Sequence, residues 1–256
     1  MIRFNINADM AEGYGPWQMG DDDGLLQIIG SANIACGFHG GDYAIMGKVM
    51  QQADAAGVSI GAHPGFYDLH GFGRRQLQLS DTETERLVAY QLGAALGIAA
   101  LNGLRVSHVK PHGALNNMAC ADQAMAAAIV RAIKAVDDSQ ILLAPVLSAL
   151  LEAGENAGLP VAAEVFADRA YMPDGQLVPR NRPDAMIHEP DLSLAHCIRM
   201  LEDGVIRCID NSELKIQADS ICVHGDEPGA VATASVLKQG LIDRGMEMVP
   251  LPQLVQ

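Results

Sequence analysis

Short apolar runs alternate with longer amphipathic segments along most of the chain. Eight runs are predicted strands: residues 4–8, 31–35, 58–62, 106–109, 141–144, 161–165, 220–223 and 247–249. The runs are largely apolar on both faces, which is typical of parallel strands covered by helices. The pattern therefore predicts an α/β protein with a parallel sheet.

Helix signals separate these runs. Ser80 and Glu83 have the spacing of a capping box, and Asp122 can cap the alanine-rich stretch that follows it. Pro228 is expected to open a helix that reaches Arg244. The strand–helix order repeats six or seven times, which fits either a closed (β/α) barrel or an open doubly wound sheet.

Two features favour the closed barrel. No GxGxxG motif follows the first strand, and polar residues follow nearly every strand instead of gathering at one switch point. We therefore predict a TIM-like (β/α) barrel in a single domain over residues 1–256. Residues 171–190, with four prolines, are predicted to form a long loop or lid.

Charge and cysteine content narrow the function classes. The formal charge of −14 argues against a nucleic-acid or anionic-membrane partner, since both require a basic surface. Five cysteines without a CxxC pair do not suggest a disulfide framework. The N-terminus begins directly in a strand, so we expect no secretory leader and a cytoplasmic location.

Ionisable and amide side chains follow six of the predicted strands. In a barrel the loops after all strands emerge at one face, so these side chains are predicted to line one polar pocket. The candidates are Asn7, Asp9, Glu12, Asn33, His39, His63, Asp68, Arg74, Lys110, His112, Glu164, Asp168, Arg169, His224 and Asp226.

Several polar residues also have a structural interpretation. Asp42 can cap the helix that follows it, and Cys36 is expected to be a small buried thiol. The Arg74–Arg75 pair fits either surface charge or a clamp for an anion. Lys110 ends an apolar strand and must find a counter-charge, which favours a functional role. Three histidines are expected to be ordinary hydrogen-bonded groups: His70, His188 and His196.

Common catalytic motifs are missing from the sequence. It contains no HExxH and no GxSxG, and the segment from Gly41 to Lys48 has the wrong glycine spacing for a phosphate-binding P-loop. We therefore expect no ATP site on this chain.

Six segments resemble the LamB/YcsF (lactam utilisation) family. They are NINADMAEGYG, SANIACGFHGGD, GAHPGFYDLHGFGRR, HVKPHGAL, EVFADRAYMPDGQLVPR and ICVHGDEPGAV, and they extend from residue 5 to about residue 231. The chain departs from the family pattern at Asn5, where Asp is usual, and at Ala11, where Gly is usual. Asn5 weakens any metal site that would use that first carboxylate.

The resemblance implies a seven-stranded type of barrel, similar to the glycoside hydrolase/deacetylase superfamily. It also implies hydrolysis of 5-oxo-L-proline (pyroglutamate) to L-glutamate, coupled to ATP hydrolysis, as the A subunit beside B and C subunits. Partner subunits would then bind ATP, because this chain lacks the motif. The divalent-metal requirement and the oligomeric state stay open.

Candidate roles follow from that reaction. Asp9, Glu12 or Glu164 would be the general base for water. Lys110, His63 and His112 would stabilise the developing oxyanion or phosphate. Arg74 or Arg169 would bind the ring carboxylate. The remaining candidates are expected to bind substrate: Asn7, Asn33, His39, Asp68, Asp168, His224 and Asp226.

Two other functions remain open. Asp and His at several strand ends can hold Zn²⁺, which would suit a stand-alone metal-dependent deacetylase or amidohydrolase. A barrel scaffold can also serve as a non-catalytic regulatory subunit, because a fold does not by itself define a chemistry.

Overall fold

The computed structural model describes residues 1–226 and 229–255. The strands are β1 Arg3–Met10, β2 Ser31–Ala35, β3 Ser59–His63, β4 His108–Val109, β5 Ile141–Pro145, β6 Val161–Phe166, β7 Val205–Arg207, β8 Glu213–Lys215, β9 Ser220–Val223 and β10 Glu247–Met248. The helices are α1 Asp22–Leu26, α2 Tyr43–Ala55, α3 Asp81–Leu101, α4 Gly113–Ala121, α5 Gln123–Val136, α6 Ala149–Ala157, α7 Pro190–Ile198, α8 Ala230–Asp243 and α9 Leu251–Leu254. The predicted helix start at Pro228 lies outside the described residues.

Seven parallel strands close into a barrel. Their order is β1-β2-β3-β4-β5-β6-β9, and β9 pairs back to β1 with Asn5 opposite Ser220 and Ala8 opposite Val223. β10 pairs with the first two residues of the same β1 strand, outside the seven-stranded ring. The predicted TIM-like barrel of the seven-stranded type is therefore confirmed.

β1 shows how the sequence builds a polar barrel interior. Phe4, Ile6, Ala8 and Met10 are buried in the apolar core, while Asn5, Asn7 and Asp9 alternate with them and hydrogen-bond to side chains of other barrel strands or the loops after them. Because successive strand residues point to opposite faces, one set packs under the helices and the other fills the barrel. Both faces are buried, and only one of them is apolar.

The local signals in the sequence correspond to observed structure. All eight predicted strands are present, with ends shifted by two residues at most. Ser80 caps α3, since its hydroxyl accepts the Glu83 N–H while the Glu83 carboxylate accepts the Ser80 N–H. Asp122 caps α5 through the N–H groups of its first turn. The antiparallel β7–β8 hairpin was not predicted, because each of its strands has only three residues.

The segment 171–190 is a long loop, as predicted. Isolated bridges pair Tyr171 with Leu177 and Arg169 with Met186, so the segment folds back on itself before α7 begins at Pro190. It lies over the carboxyl ends of the strands and forms one wall of the cavity described below. Within the described residues, none of the helices combines the length and apolarity needed to cross a bilayer.

Candidate active site

A cavity of about 500 Å³ opens at the carboxyl ends of the barrel strands. Its walls come from the loops after β1, β3, β4, β5, β6 and β9, together with the 171–190 loop. That volume falls in the range of small-molecule sites. Eight of the predicted site residues line it: Asp9, Glu12, Arg74, Lys110, His112, Arg169, His224 and Asp226.

Lys110 lies at the floor of this cavity and is almost fully buried. Its Nζ is 2.9 Å from both Asp9 Oδ1 and Glu164 Oε1. It also donates to Asn7 Oδ1 at 3.1 Å and contacts Cys222 Sγ at 3.0 Å. Burial opposes the ammonium charge, but the nearby anionic groups, Asp9 foremost, outweigh it and raise the pKa of Lys110 well above its usual value. The predicted counter-charge is therefore present, and it consists of two carboxylates, those of Asp9 and Glu164.

Asp9 connects this lysine to the histidines. Its Oδ1 accepts a hydrogen bond from Asn33 Nδ2 at 2.8 Å, and its Oδ2 lies 3.3 Å from His63 Nε2. Burial alone would raise the pKa of Asp9, but its interactions with His63 and Lys110 hold it well below the ordinary value. Asp9 is therefore a carboxylate that stays ionised and reaches the cavity.

Three histidines and one glutamate form a second cluster. Glu12 Oε1 lies 3.1 Å from His39 Nε2 and 3.3 Å from His112 Nδ1, and His112 Nδ1 lies 3.0 Å from His63 Nε2. Burial would raise the pKa of Glu12, but its bonds to His112 and His39 lower it overall. Burial, helped by His112, lowers the pKa of His39 to about 3, so that ring is neutral.

Backbone carbonyls fix two of these rings. His63 Nδ1 donates to the carbonyl oxygen of Lys110 at 2.6 Å, and His112 Nε2 donates to that of Phe72 at 2.8 Å. The His39 and His112 rings stack with their centres 3.6 Å apart. Carbonyl contacts of this kind determine which ring nitrogen carries the proton.

Paired polar side chains lie around the cavity mouth. His224 Nδ1 lies 2.8 Å from Asp168 Oδ2, and Arg74 donates to Asp226 Oδ2 at 2.7 Å. Arg169 donates to the carbonyl of Val178 at 2.6 Å, and its buried Nε has no hydrogen-bond partner among the described residues. Burial, together with Arg180, lowers the pKa of Arg169 to about 10.

The other predicted site residues do not line the cavity. Asn7, Asn33, His39, His63 and Glu164 are fully or almost fully buried beneath its floor, where they bind the residues that do line it. Asp168 is linked to the cavity through its bond to His224. Asp68 lies apart from this group, because its carboxylate caps the turn at Gly71 and pairs with Arg75.

Some of the polar residues near these loops have structural roles. Asp42 accepts the N–H groups of Ala44 and Ile45 and thus caps α2, and the Cys36 thiol is buried. Of the two arginines, Arg75 pairs with Asp68 while Arg74 lines the cavity. Asn5 donates to Ser31 and Val249 and accepts from Ser220, so it joins strands instead of meeting the ionisable cluster.

Several residues in and around the cavity were not identified from the sequence. Arg180 and Tyr171 line it from the 171–190 loop, Phe166 lies at the end of β6, and Cys222 contacts Lys110. Arg180 lies within the segment predicted to be a long loop or lid. A basic residue in that segment could therefore have been identified from the sequence as a candidate for the cavity wall. Nothing in the sequence marked Cys222 as a contact of Lys110 except its position two residues before His224.

Two groups of ligand-type side chains can converge on a metal ion within the described residues. The first contains Glu12, His39, His63 and His112, and the second contains Asp9, Cys222 and His224. The Lys110 ammonium already lies between two members of the second group, at 2.9 Å from Asp9 and 3.0 Å from Cys222. The first group consists of one glutamate and three histidines, and all four are side chains that can bind a metal cation.

A closed parallel (β/α) barrel with a charged cavity at the carboxyl ends of its strands defines an α/β-barrel protein of enzyme type. The sequence profile of the LamB/YcsF family matches residues 4–256, and the chain belongs to that family.

Its relatives match along the whole length. The 5-oxoprolinase A subunit of Azoarcus sp. (strain BH72) is 53% identical over 99% of both chains, and that of Rhodopseudomonas palustris (strain BisB18) is 50% identical over 98% of both. The crystal structure of a lactam utilization protein from Thermus thermophilus has a TM-score of 0.92 and 39% identity, over 98% of this chain and 100% of that one.

Proposed function

We propose that this chain is the ring-opening A subunit of an ATP-dependent 5-oxoprolinase, which converts 5-oxo-L-proline to L-glutamate together with B and C subunits. Relatives of that name are about 50% identical over nearly the full chain. The observation that carries the proposal is the buried Lys110–Asp9 pair, 2.9 Å apart, at the floor of a small-molecule cavity.

The energetics of the lactam explain why ATP is needed. The α-amine of glutamate can attack its own γ-carboxyl group and close a five-membered ring, and effective molarities of about 10⁵ M or more favour such reclosure. Phosphorylation of the amide oxygen makes the carbonyl carbon electrophilic and makes opening essentially irreversible. The chain carries no P-loop, so the partner subunits would cleave ATP and this cavity would receive the activated ring.

The cavity has the charges that such a substrate requires. Arg74, Arg169 and Arg180 line it, and α4 points its first turn toward it with no side-chain cap at His112. Guanidinium groups and the positive end of a helix favour carboxylate and phosphate oxygens. Arg169, whose buried Nε lacks a protein partner among the described residues, is the proposed ligand for the ring carboxylate.

Asp9 is the best placed of the three candidate bases. Glu164 is fully buried and does not line the cavity, and Glu12 is already bonded to two histidines. Asp9 lines the cavity, is ionised, and has an oxygen directed at His63. In the proposed step Asp9 takes a proton from water, and the water oxygen adds to the ring carbonyl carbon. The C–N bond then breaks, the released nitrogen takes up a proton, and the γ-glutamyl phosphate that results is cleaved by a second water into the γ-carboxylate of glutamate and inorganic phosphate.

Lys110 and His112 are the proposed stabilisers of the oxygen that becomes negative in this step. Both line the cavity next to Asp9 and Glu12. A donor held rigidly by other contacts stabilises developing charge without reorganisation, and removal of one such donor typically costs about 10²–10³ in rate. Asn7, Asn33 and Glu164 would hold Lys110 and Asp9 in position from below.

A stand-alone metal-dependent amidohydrolase is the second candidate, and the Glu12–histidine cluster favours it. One assay distinguishes the A-subunit function from the amidohydrolase function. Glutamate release from 5-oxoproline is measured with the chain alone, with its candidate B and C subunits, and with or without ATP. Release only in the complete mixture supports the A-subunit proposal. Release by the chain alone without ATP supports the amidohydrolase, and absence of release from a folded, complete complex contradicts the proposal.

A further inference from the structure

The Glu12–histidine cluster has a geometry that the proposed ring opening does not require. We propose that this chain binds one divalent transition-metal ion of the Zn²⁺ type through Glu12, His63 and His112. Two histidines and one glutamate are an established ligand set for zinc enzymes that keep a fourth position open. The binding stands independently of the 5-oxoprolinase function, and only the role given to the ion rests on it.

Hydrogen bonding directs the ligand atoms of these residues toward one another. A carbonyl oxygen only accepts, so the contacts to Lys110 O and Phe72 O place protons on His63 Nδ1 and His112 Nε2. In the neutral rings, His63 Nε2 and His112 Nδ1 therefore carry lone pairs, and these two atoms lie 3.0 Å apart. Two lone pairs at that distance, with Glu12 Oε1 3.3 Å from His112 Nδ1, need either a shared proton or a metal ion between the ligand atoms.

The spacing of the ligand atoms fits coordination. Zinc bonds of about 2.0–2.1 Å in a tetrahedral site place neighbouring ligand atoms roughly 3.3 Å apart. The structure has 3.0 Å between His63 Nε2 and His112 Nδ1, and 3.3 Å between His112 Nδ1 and Glu12 Oε1. An ion therefore requires shifts of a few tenths of an ångström at these contacts.

His39 completes the site as a positioning residue. Its Nδ1 has no hydrogen-bond partner among the described residues, and its Nε2 lies 3.1 Å from Glu12 Oε1. The ring stacks parallel to His112 with an angle of 6°, so one ion cannot lie in the planes of both rings. His39 therefore donates to Glu12 and orients that ligand, as outer-shell groups do in metal sites.

The fourth position faces the cavity. Glu12 and His112 line the cavity wall, and His63 Nε2 lies 3.3 Å from Asp9 Oδ2. A water or lactam oxygen on the ion would thus lie beside Asp9, the proposed base. A bound divalent ion polarises an oxygen ligand and lowers the pKa of water, which is the chemistry that the ring-opening step needs. With the ion bound, His112 would act on the developing charge through the ion, and Lys110 would remain the direct donor.

The test uses the full untagged chain, stripped with a chelator and titrated separately with Zn²⁺, Mn²⁺ and Co²⁺ in the absence of partner subunits. Binding is measured by calorimetry and by elemental analysis after gel filtration. We expect one ion per chain. Glu12→Gln and His112→Asn should each lose more affinity than the about 10–100-fold that an outer-shell change costs, while His39→Gln should fall within that range. Because no substrate is present, failure here leaves the proposed 5-oxoprolinase function untouched.

His224→Gln is the matched control, since it removes a cavity histidine that belongs to the other group of ligand-type residues. It should keep one ion per chain with affinity within about twofold of the original. Thermal melting of each metal-free variant checks folding, and the ion should raise the melting temperature of the unmutated chain but not that of His112→Asn. Binding well below one ion per chain, or loss of binding in His224→Gln with retention in His112→Asn, would overturn the proposal.

Discussion

Lys110 Nζ and Asp9 Oδ1 lie 2.9 Å apart although 101 residues separate them in the chain. Both are buried, and Glu164 Oε1 lies 2.9 Å from the same ammonium group. The chain thus holds one cation against two carboxylates at the end of the barrel interior. Removal of the ammonium would leave two buried carboxylates without a counter-charge, which is costly, whereas removal of one carboxylate would still leave a one-to-one ion pair.

Replacement of Lys110 by Met should therefore affect both stability and activity. The change leaves Asp9 and Glu164 without their shared counter-charge, so we expect the free energy of unfolding to fall by about 3–5 kcal/mol. Urea unfolding measures this directly. Lys215→Met is the control, because Lys215 is exposed on β8 and should change stability by less than about 0.5 kcal/mol. Equal effects of the two changes would contradict the account of the buried triad.

Arg169 should contribute mainly to substrate binding. Arg169→Lys keeps the charge but removes the fork of N–H donors, and one charge-assisted hydrogen bond is worth about 1.5–3 kcal/mol. We expect KM for 5-oxoproline in the complete complex to rise about 10–100-fold, with a smaller change in kcat. Arg182→Lys is the control, since Arg182 is exposed and pairs with Asp184. An unchanged KM in Arg169→Lys would remove this residue from the substrate site.

Ala11 occupies a backbone conformation that suits glycine. Its φ is 60°, and it is buried directly after β1. Residues with a Cβ lose about 1–2 kcal/mol in the left-handed region, so Ala11→Gly should stabilise the chain by about 1 kcal/mol after the added entropy of the unfolded state. Ala8→Gly, in the interior of β1, should instead destabilise by about 0.5–1 kcal/mol. Thermal unfolding of both variants gives the comparison, and destabilisation by Ala11→Gly would contradict the backbone argument.

His108 should make stability depend on pH. It is fully buried, and burial, followed by Lys110 and His63, lowers its pKa from 6.5 to about 3. Because the unfolded chain binds this proton and the folded chain does not, stability is complete above pH 6.5 and falls as the pH drops toward 3. Urea unfolding should show about 2 kcal/mol from this residue between its unfolded pKa and about pH 5.

The control for this prediction is a chain with His108→Gln. The amide can retain the contact to Asn33 but does not titrate, so the pH dependence should become shallower by that amount. Identical slopes for the two proteins would show that His108 does not carry the effect.

The fold was predictable because its signals are local. Apolar runs of strand length, the cap at Ser80 and the cap at Asp122 each depend on a few neighbouring residues. The closed barrel followed from the presence of polar residues after most strands, since in a barrel these positions share one face, whereas the seven-stranded type was implied by the family resemblance. The β7–β8 hairpin lacked such a signal, because its strands are too short to show alternation.

The sequence indicated which residues belong to the site better than it indicated how deeply each side chain is buried. His63 and His112 both came from strand-end motifs, but their contact across 49 residues depends on the register of β3 and β4. Asn7 and Asn33 were expected to meet substrate, and their side chains instead lie below the cavity floor, where they hold Asp9 and Lys110. Asp68 follows the same strand as His63, yet a local turn directs it to Arg75. Side-chain depth of this kind is set by tertiary packing.

The most direct test of the central claim is glutamate release from 5-oxoproline by the complex of this chain with its B and C subunits and ATP, with Asp9→Asn compared against Glu164→Gln. Loss of a general base typically costs about 10²–10⁴ in rate. We predict that Asp9→Asn lowers kcat by that factor, while Glu164→Gln, whose amide oxygen still faces Lys110, lowers it less than about tenfold. Full activity of a folded Asp9→Asn complex, or of B and C without this chain, would contradict the assignment of ring opening to this cavity.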